Sequence, residues 1–146
     1  RLKGIKLTDA MGWATPASVY RLIGAIRNKW PDLEVGLHLH DTRGTGLPAA
    51  FAGLQLGVTD FDASVAGLGG CPFAATDGAV GNICTEDFAF MCEEMGISTG
   101  LDVEKLIEVA KIAEEVVGRP LPGHVMRGGT LTAAKARGAA ARAAAQ

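Results

Sequence analysis

Two histidines and an acidic residue close the segment EVGLHLHDTRG at residues 34–44. On a strand, side chains alternate, so His38 and His40 share a face with about 6.5–7 Å between their positions. Two imidazoles at that spacing can reach one divalent ion, and the C-terminal end of a parallel strand is where α/β proteins form their sites. The competing reading is a pair of hydrogen-bonded core histidines. Asp41 follows directly and either orients one of the rings or caps a helix entry within DTRG. Arg43 is available to an anionic group on a substrate. Asn82 offers a neutral oxygen ligand or is a turn residue; a mixed imidazole and oxygen set suits magnesium, manganese or zinc.

A second group of reactive types sits in GLGGCPFAATDGAVGN, residues 67–82. Gly69 and Gly70 permit positive φ angles and close approach of backbone to a ligand. Cys71, between two glycines and a proline, is either a thiol presented for chemistry or a small buried hydrophobe. Cys92 shares an apolar helix face with Met91 and Met95 and reads as packing, while Cys84, just before a helix start, fits either role. Three cysteines without a CxxC spacing are typical of reduced thiols rather than of a disulfide framework or zinc knuckle.

These residues need elements to hold them. GIKLTDA (4–10), EVGLHLH (34–40) and DFDASVA (60–66) read as strands. Thr15 and Pro16 open a helix carrying Val19, Leu22, Ile23 and Ile26, with Pro31 beyond its end. Phe51 and Leu54 mark a short helix ending near Gly57. Thr85, Glu86 and Asp87 start a third that stops at Gly96, and a fourth runs from about Asp102 to Val117, ended by Gly118 and Pro120. Strand–helix alternation at short spacing implies a parallel sheet with both faces covered. A doubly wound sheet completes it one way. A (β/α)8 barrel completes it another, but needs roughly 200 residues or more, so 146 residues would be a piece of one.

Composition bounds the rest. With 48% hydrophobic and 21% charged residues and a net charge of −2, the chain has ordinary globular composition. The mild negative balance argues against nucleic acid or a membrane surface as partner, and no apolar run approaches a membrane span. The expected domain covers residues 1–123. Residues 124–146, rich in alanine and arginine, are expected to be a flexible tail. The first residue is Arg1, so a targeting peptide cannot be judged from this sequence.

LTDAMGWATP (7–16), HLHDTRGTG (38–46), DASVAGLGGCPFA (62–74) and GNICTEDFAFMCEEMGISTG (81–100) together resemble the hydroxymethylglutaryl-CoA lyase family of metal-dependent barrel enzymes. The resemblance runs from about Ile5 to Val117. The HDT motif is shared across the wider superfamily, whereas SVAGLGGCP followed by GN..TED is specific to the lyase branch. It implies the last three βα units of a (β/α)8 barrel plus C-terminal helices. By the same resemblance, His38, His40 and Asn82 ligate Mg2+ or Mn2+, and Cys71 is the catalytic thiol. Asp9 lies near the reacting centre, Glu86 supports the site, and Arg43, Gly69 and Gly70 contact substrate. Strand parity sets Asp9 with Ile5 and Leu7 rather than with Thr8, so its place in the site comes from the resemblance alone.

The implied reaction is carbon–carbon cleavage of 3-hydroxy-3-methylglutaryl-CoA to acetyl-CoA and acetoacetate. The family's first-strand Arg-Asp pair, a metal ligand and a catalytic arginine, has no match here. The chain by itself is therefore expected to bind metal weakly and to show negligible turnover. An acyl-CoA substrate, a homodimer when full-length, and a cytoplasmic setting (or a mitochondrial one) complete the expectation. The rivals are a Claisen-type synthase, a lyase for another hydroxyacyl-CoA, and a non-catalytic truncated product. Doubly wound nucleotide binding ranks last, because GLGGCP is not a GxGxxG opening a helix.

Overall fold

The computed structural model describes residues 2–70 and 80–144. β1 (Gly4–Thr8), β2 (Glu34–His38) and β3 (Asp60–Asp62) pair in parallel in the order β1-β2-β3. α1 (Pro16–Lys29) joins the first pair and α2 (Gly46–Gln55) the second. A single 3-10 turn over Val65–Gly67 precedes α3 (Thr85–Glu94), α4 (Val103–Val117), α5 (Val125–Gly128) and α6 (Leu131–Ala144). No helix among the described residues is long and apolar enough to cross a membrane.

Local chemistry sets the helix ends. Thr15 and Ser18 form a reciprocal capping box ahead of Pro16, and Arg27 and Lys29 lie in the last turn of α1, where the helix dipole favours positive charge. The Asp102 side chain accepts from the Lys105 N–H at the start of α4, and Gly118 ends it at φ 73°.

Register gives the sheet two unlike faces. Leu7, Leu37 and Phe61 form one rung and turn toward the helices. There Val35, Leu37 and Leu39 meet Val19 and Ile23 of α1 and Ala49, Ala50 and Ala52 of α2 in the main core. α2 lies close to the sheet because Gly53 has no side chain: a Cβ there would meet Leu37 Cδ1 at 2.5 Å and the Phe61 ring at 3.2 Å. The rungs Lys6–Gly36–Asp60 and Thr8–His38–Asp62 belong to the other face, since alternate residues share a side. Gly36 again makes room, and the Lys6 side chain passes over it to reach Asp60 at 3.2 Å and Asp62 at 2.5 Å.

The third strand is shorter than the alternating run 60–66 suggests. Regular pairing stops at Asp62, Ser64 makes an isolated bridge to Cys84, and Ala66 adopts left-handed backbone at φ 56°, which no strand tolerates. α2 in turn starts at Gly46, earlier than its apolar pattern indicates, because Asp41 Oδ1 accepts from the Gly46 N–H at 2.7 Å.

A second core joins Ala66, Ile107, Ala110, Leu121 and Met126. The segment beyond residue 124, expected as a tail, is helical over most of its described length. Met126 of α5 is buried in this second core, whereas α6 buries none of its residues. Glu114 ties α4 to α5: it pairs with the Arg127 guanidinium and accepts from the Leu121 N–H at 2.8 Å. Arg127 and then that N–H hold the Glu114 carboxyl below the usual glutamate range.

Two outcomes follow. Gly53→Ala should lower the urea-unfolding free energy by about 1–3 kcal/mol through overpacking of α2 on β2; an unchanged midpoint would mean α2 slides without cost. Because the folded Glu114 pKa is depressed, its contribution is present above the unfolded value and lost as pH falls through the folded one. Glu114→Gln should therefore lower Tm at neutral pH, with the gap to wild type closing below about pH 4. A gap that persists in acid contradicts the ion-pair account.

Candidate metal centre

The C-terminal ends of the strands bring the predicted residues together. The His38 and His40 rings pack edge to face with centroids 5.1 Å apart, on the side opposite the buried leucines. Past β2 the chain stays extended, and His40 forms an isolated antiparallel bridge with Asn82. The segment around Asn82 is laced between two strand ends. Ile83 N–H donates to Leu39 O at 3.1 Å, Ser64 N–H to Ile83 O at 3.0 Å, and Asp41 N–H to Gly81 O at 2.9 Å.

Each of the three candidate ligands is held by one polar atom. His38 Nδ1 lies 3.0 Å from Asp62 Oδ2, and His40 Nδ1 lies 2.6 Å from the carbonyl oxygen of Asp9. A carbonyl or carboxylate only accepts, so both neutral rings carry their proton on Nδ1 and leave the Nε2 lone pair for something else. Asn82 Nδ2 donates to Leu68 O at 3.0 Å, which fixes the amide orientation. Its Oδ1 is buried with no hydrogen-bond partner among the described residues. An orphaned buried oxygen is rare enough to need an explanation. A hard divalent cation, bound by this oxygen and two imidazoles, fits the donor set.

Asp9 is the hub of the turn after β1. Its N–H donates to His38 O at 2.9 Å, and its own carbonyl holds His40. Both carboxylate oxygens are engaged: Oδ1 accepts from Trp13 N–H at 2.9 Å and Oδ2 from Ala14 N–H at 2.7 Å. Asp41 binds α2 rather than a histidine, which resolves the two readings of DTRG. Arg43 is exposed, with Nη1 donating to Met11 O at 2.8 Å and the guanidinium 6.0 Å from the Trp13 ring. Gly69, at φ 92°, lies against Asn82, where a Cβ would come within 2.6 Å of Nδ2; Gly70 is exposed and open. Cys71 lies outside the described residues. The sequence pattern gave no warning of Asp62, although the spacing of DFDAS places it on one face with Ser64, and the register sets it beside His38.

These motifs have a counterpart among known proteins: the HMGL-like family matches residues 2–113. The chain belongs to the HMGL-like family. This HMGL-like chain is 46% identical over 120 residues to hydroxymethylglutaryl-CoA lyase YngG of Bacillus subtilis, covering 82% of this chain and 40% of that protein. It is 44% identical over 125 residues to (R)-citramalyl-CoA lyase of Chloroflexus aurantiacus, covering 86% of this chain and 39% of that one. Among solved structures, an HMG-CoA lyase from Acinetobacter baumannii in complex with coenzyme A and 3-methylmalate superposes with a TM-score of 0.80 at 40% identity. That match takes in 89% of this chain and 42% of the other. The chain thus spans about two fifths of the length of these relatives.

A second cluster in the HMGL-like chain, Cys84, Glu86 and Asp87, has ligand-type atoms within 4.8 Å of one another. Its bonds are structural. Asp87 accepts from His124 and Val125 N–H at 2.7–3.0 Å and meets His124 Nδ1 at 2.9 Å, fixing the start of α5. Glu86 is fully buried, and its Oε2 accepts from Ala66 N–H at 3.0 Å, which supports the left-handed residue leading to Gly69 and Asn82's partner Leu68. Burial and then the neighbouring Glu86 push the Cys84 thiol up.

Asp87→Ala strips the part-buried N–H donors at the start of α5 of their acceptor and should cost about 1–3 kcal/mol in urea unfolding. Asp87→Asn, which keeps one acceptor oxygen, should cost less. Equal effects of the two substitutions would refute the capping role.

Proposed function

We propose that this chain is the C-terminal part, the last three βα units, of a (β/α)8 carbon–carbon lyase that uses Mg2+ or Mn2+. The proposed reaction cleaves 3-hydroxy-3-methylglutaryl-CoA to acetyl-CoA and acetoacetate. The observation that carries this reading is the buried Asn82 Oδ1, unpartnered among the described residues, beside two imidazoles whose Nδ1 atoms are already committed. The identity to two acyl-CoA lyases and the likeness to a lyase structure containing coenzyme A support the substrate class.

His38, His40 and Asn82 would hold the cation. When bound, it would supply positive charge to the hydroxyl and acyl oxygens of the substrate, easing loss of the hydroxyl proton. The protein's own part is orientation. Asp9 and Asp62 fix the rings, Leu68 fixes the amide, and Glu86 fixes the backbone before the glycine-rich segment. Cleavage leaves the acetyl-CoA fragment as an enolate that must gain a proton, and Cys71 is proposed as its donor on family resemblance. Arg43, Gly69 and Gly70 are proposed as substrate contacts on the same ground.

A second reading keeps the fold and metal but changes the substrate to citramalyl-CoA, favoured by the near-equal identity to the Chloroflexus enzyme. Assaying a full-length form with both thioesters separates the two.

The test of the metal site is calorimetric titration of Mn2+ into the chain, with circular dichroism confirming the fold. Wild type should bind, and His38→Ala/His40→Ala and Asn82→Ala should each lose most of that affinity. A folded wild type that binds no better than the double variant would remove the assignment.

A further inference from the structure

We propose that Asp62 is a positioning residue for His38, itself fastened by Lys6 reaching across Gly36. Four observations converge on it. Asp62 and His38 are register partners on adjacent parallel strands, so the backbone sets them side by side before any side chain chooses a rotamer. The Asp62 carboxylate divides its oxygens: Oδ1 takes Lys6 Nζ at 2.5 Å and Oδ2 takes His38 Nδ1 at 3.0 Å. Lys6 also holds Asp60 at 3.2 Å, so its ammonium is anchored at two points on β3. Its path exists because position 36 carries no side chain; a Cβ there would collide with the Asp60 carboxylate and lie 3.0 Å from Lys6 Cε.

A simple surface ion pair would need none of this. Lys6, exposed on the open face of the sheet, would be satisfied by Asp60 alone. Instead the chain Lys6–Asp62–His38 fixes one carboxylate oxygen on the imidazole Nδ1. The imidazole of free histidine favours the proton on Nε2. The Asp62 contact reverses that preference and leaves the Nε2 lone pair available as a donor to a metal. His40 gets the same instruction from the Asp9 carbonyl, which no substitution can remove, so Asp62 is the point at which the device is open to mutation. Second-sphere acceptors of this kind orient a ligand and raise its basicity. The consequence for metal affinity rests on the function proposed above; the tautomer does not.

The experiment uses the full chain labelled with 15N-histidine, free of metal, at a pH above the imidazole titration range. The His38→Ala spectrum identifies the His38 resonances. In wild type, His38 should show the Nδ1–H tautomer. Asp62→Ala should shift it toward Nε2–H and weaken Mn2+ binding about 10–100-fold, the range usual for such outer partners. Asp62→Asn retains an acceptor oxygen and should keep both the tautomer and most of the affinity. A wild-type His38 in the Nε2–H form overturns the proposal, and so does an Asp62→Ala protein with the wild-type tautomer. The wild-type spectrum decides even where Asp62→Ala fails to fold. If wild type and His38→Ala bind Mn2+ equally, the metal reading falls, while the positioning of His38 is still judged by its own resonances.

Discussion

Backbone hydrogen bonds between β2 and its two parallel neighbours set the level at which the strands end, and the candidate centre depends on that level. Thr8, His38 and Asp62 stand on one rung, with Asp9 one residue beyond. The turn after β1 can therefore deliver a carbonyl to His40 while β3 delivers a carboxylate to His38. A shift of one residue in either pairing would turn every side chain of the slipped strand to the other face and break the contact that strand makes. The apolar rung Leu7–Leu37–Phe61 guards against such a slip, because it would expose the core side chains.

The two faces of the sheet use glycine for opposite ends. Gly53 lets α2 approach closely enough to bury Leu37, which fixes β2 from the helix side. Gly36 leaves a gap on the polar face through which Lys6 crosses to β3. The ammonium between two carboxylates offsets what would otherwise be uncompensated like charge beside the histidines, and Lys6 followed by His38 keeps the Asp62 carboxyl below its ordinary range.

Buried acids elsewhere serve as scaffolding. Asp87 caps α5 and so recruits Met126 into the second core, while Glu86, one residue earlier on α3, holds Ala66 in an unfavourable left-handed conformation. That strained residue aims the chain through Leu68, whose carbonyl fixes Asn82. The orientation of one candidate ligand thus traces back to a carboxylate in a different part of the fold. Local strain at a site is commonly sustained by such surrounding contacts.

The sequence by itself determined the alternation of strands and helices, the shared face of His38 and His40, the cap at Thr15 and the approximate start of the helix at Asp102, because these follow from side-chain periodicity and local hydrogen bonding. The motifs around HLHDTRG and SVAGLGG also carried the family. Tertiary structure decided the rest. Periodicity extends DFDASVA to residue 66, yet Ala66 turns left-handed because a buried Glu86 twenty residues away accepts its N–H. Asp9 entered the site on resemblance alone; its backbone carbonyl meets His40, and no pattern of residue types encodes a carbonyl contact. Asp62 became visible only once β2 and β3 were set in register. Contacts between segments distant in the chain depend on that register, and a single sequence does not state it.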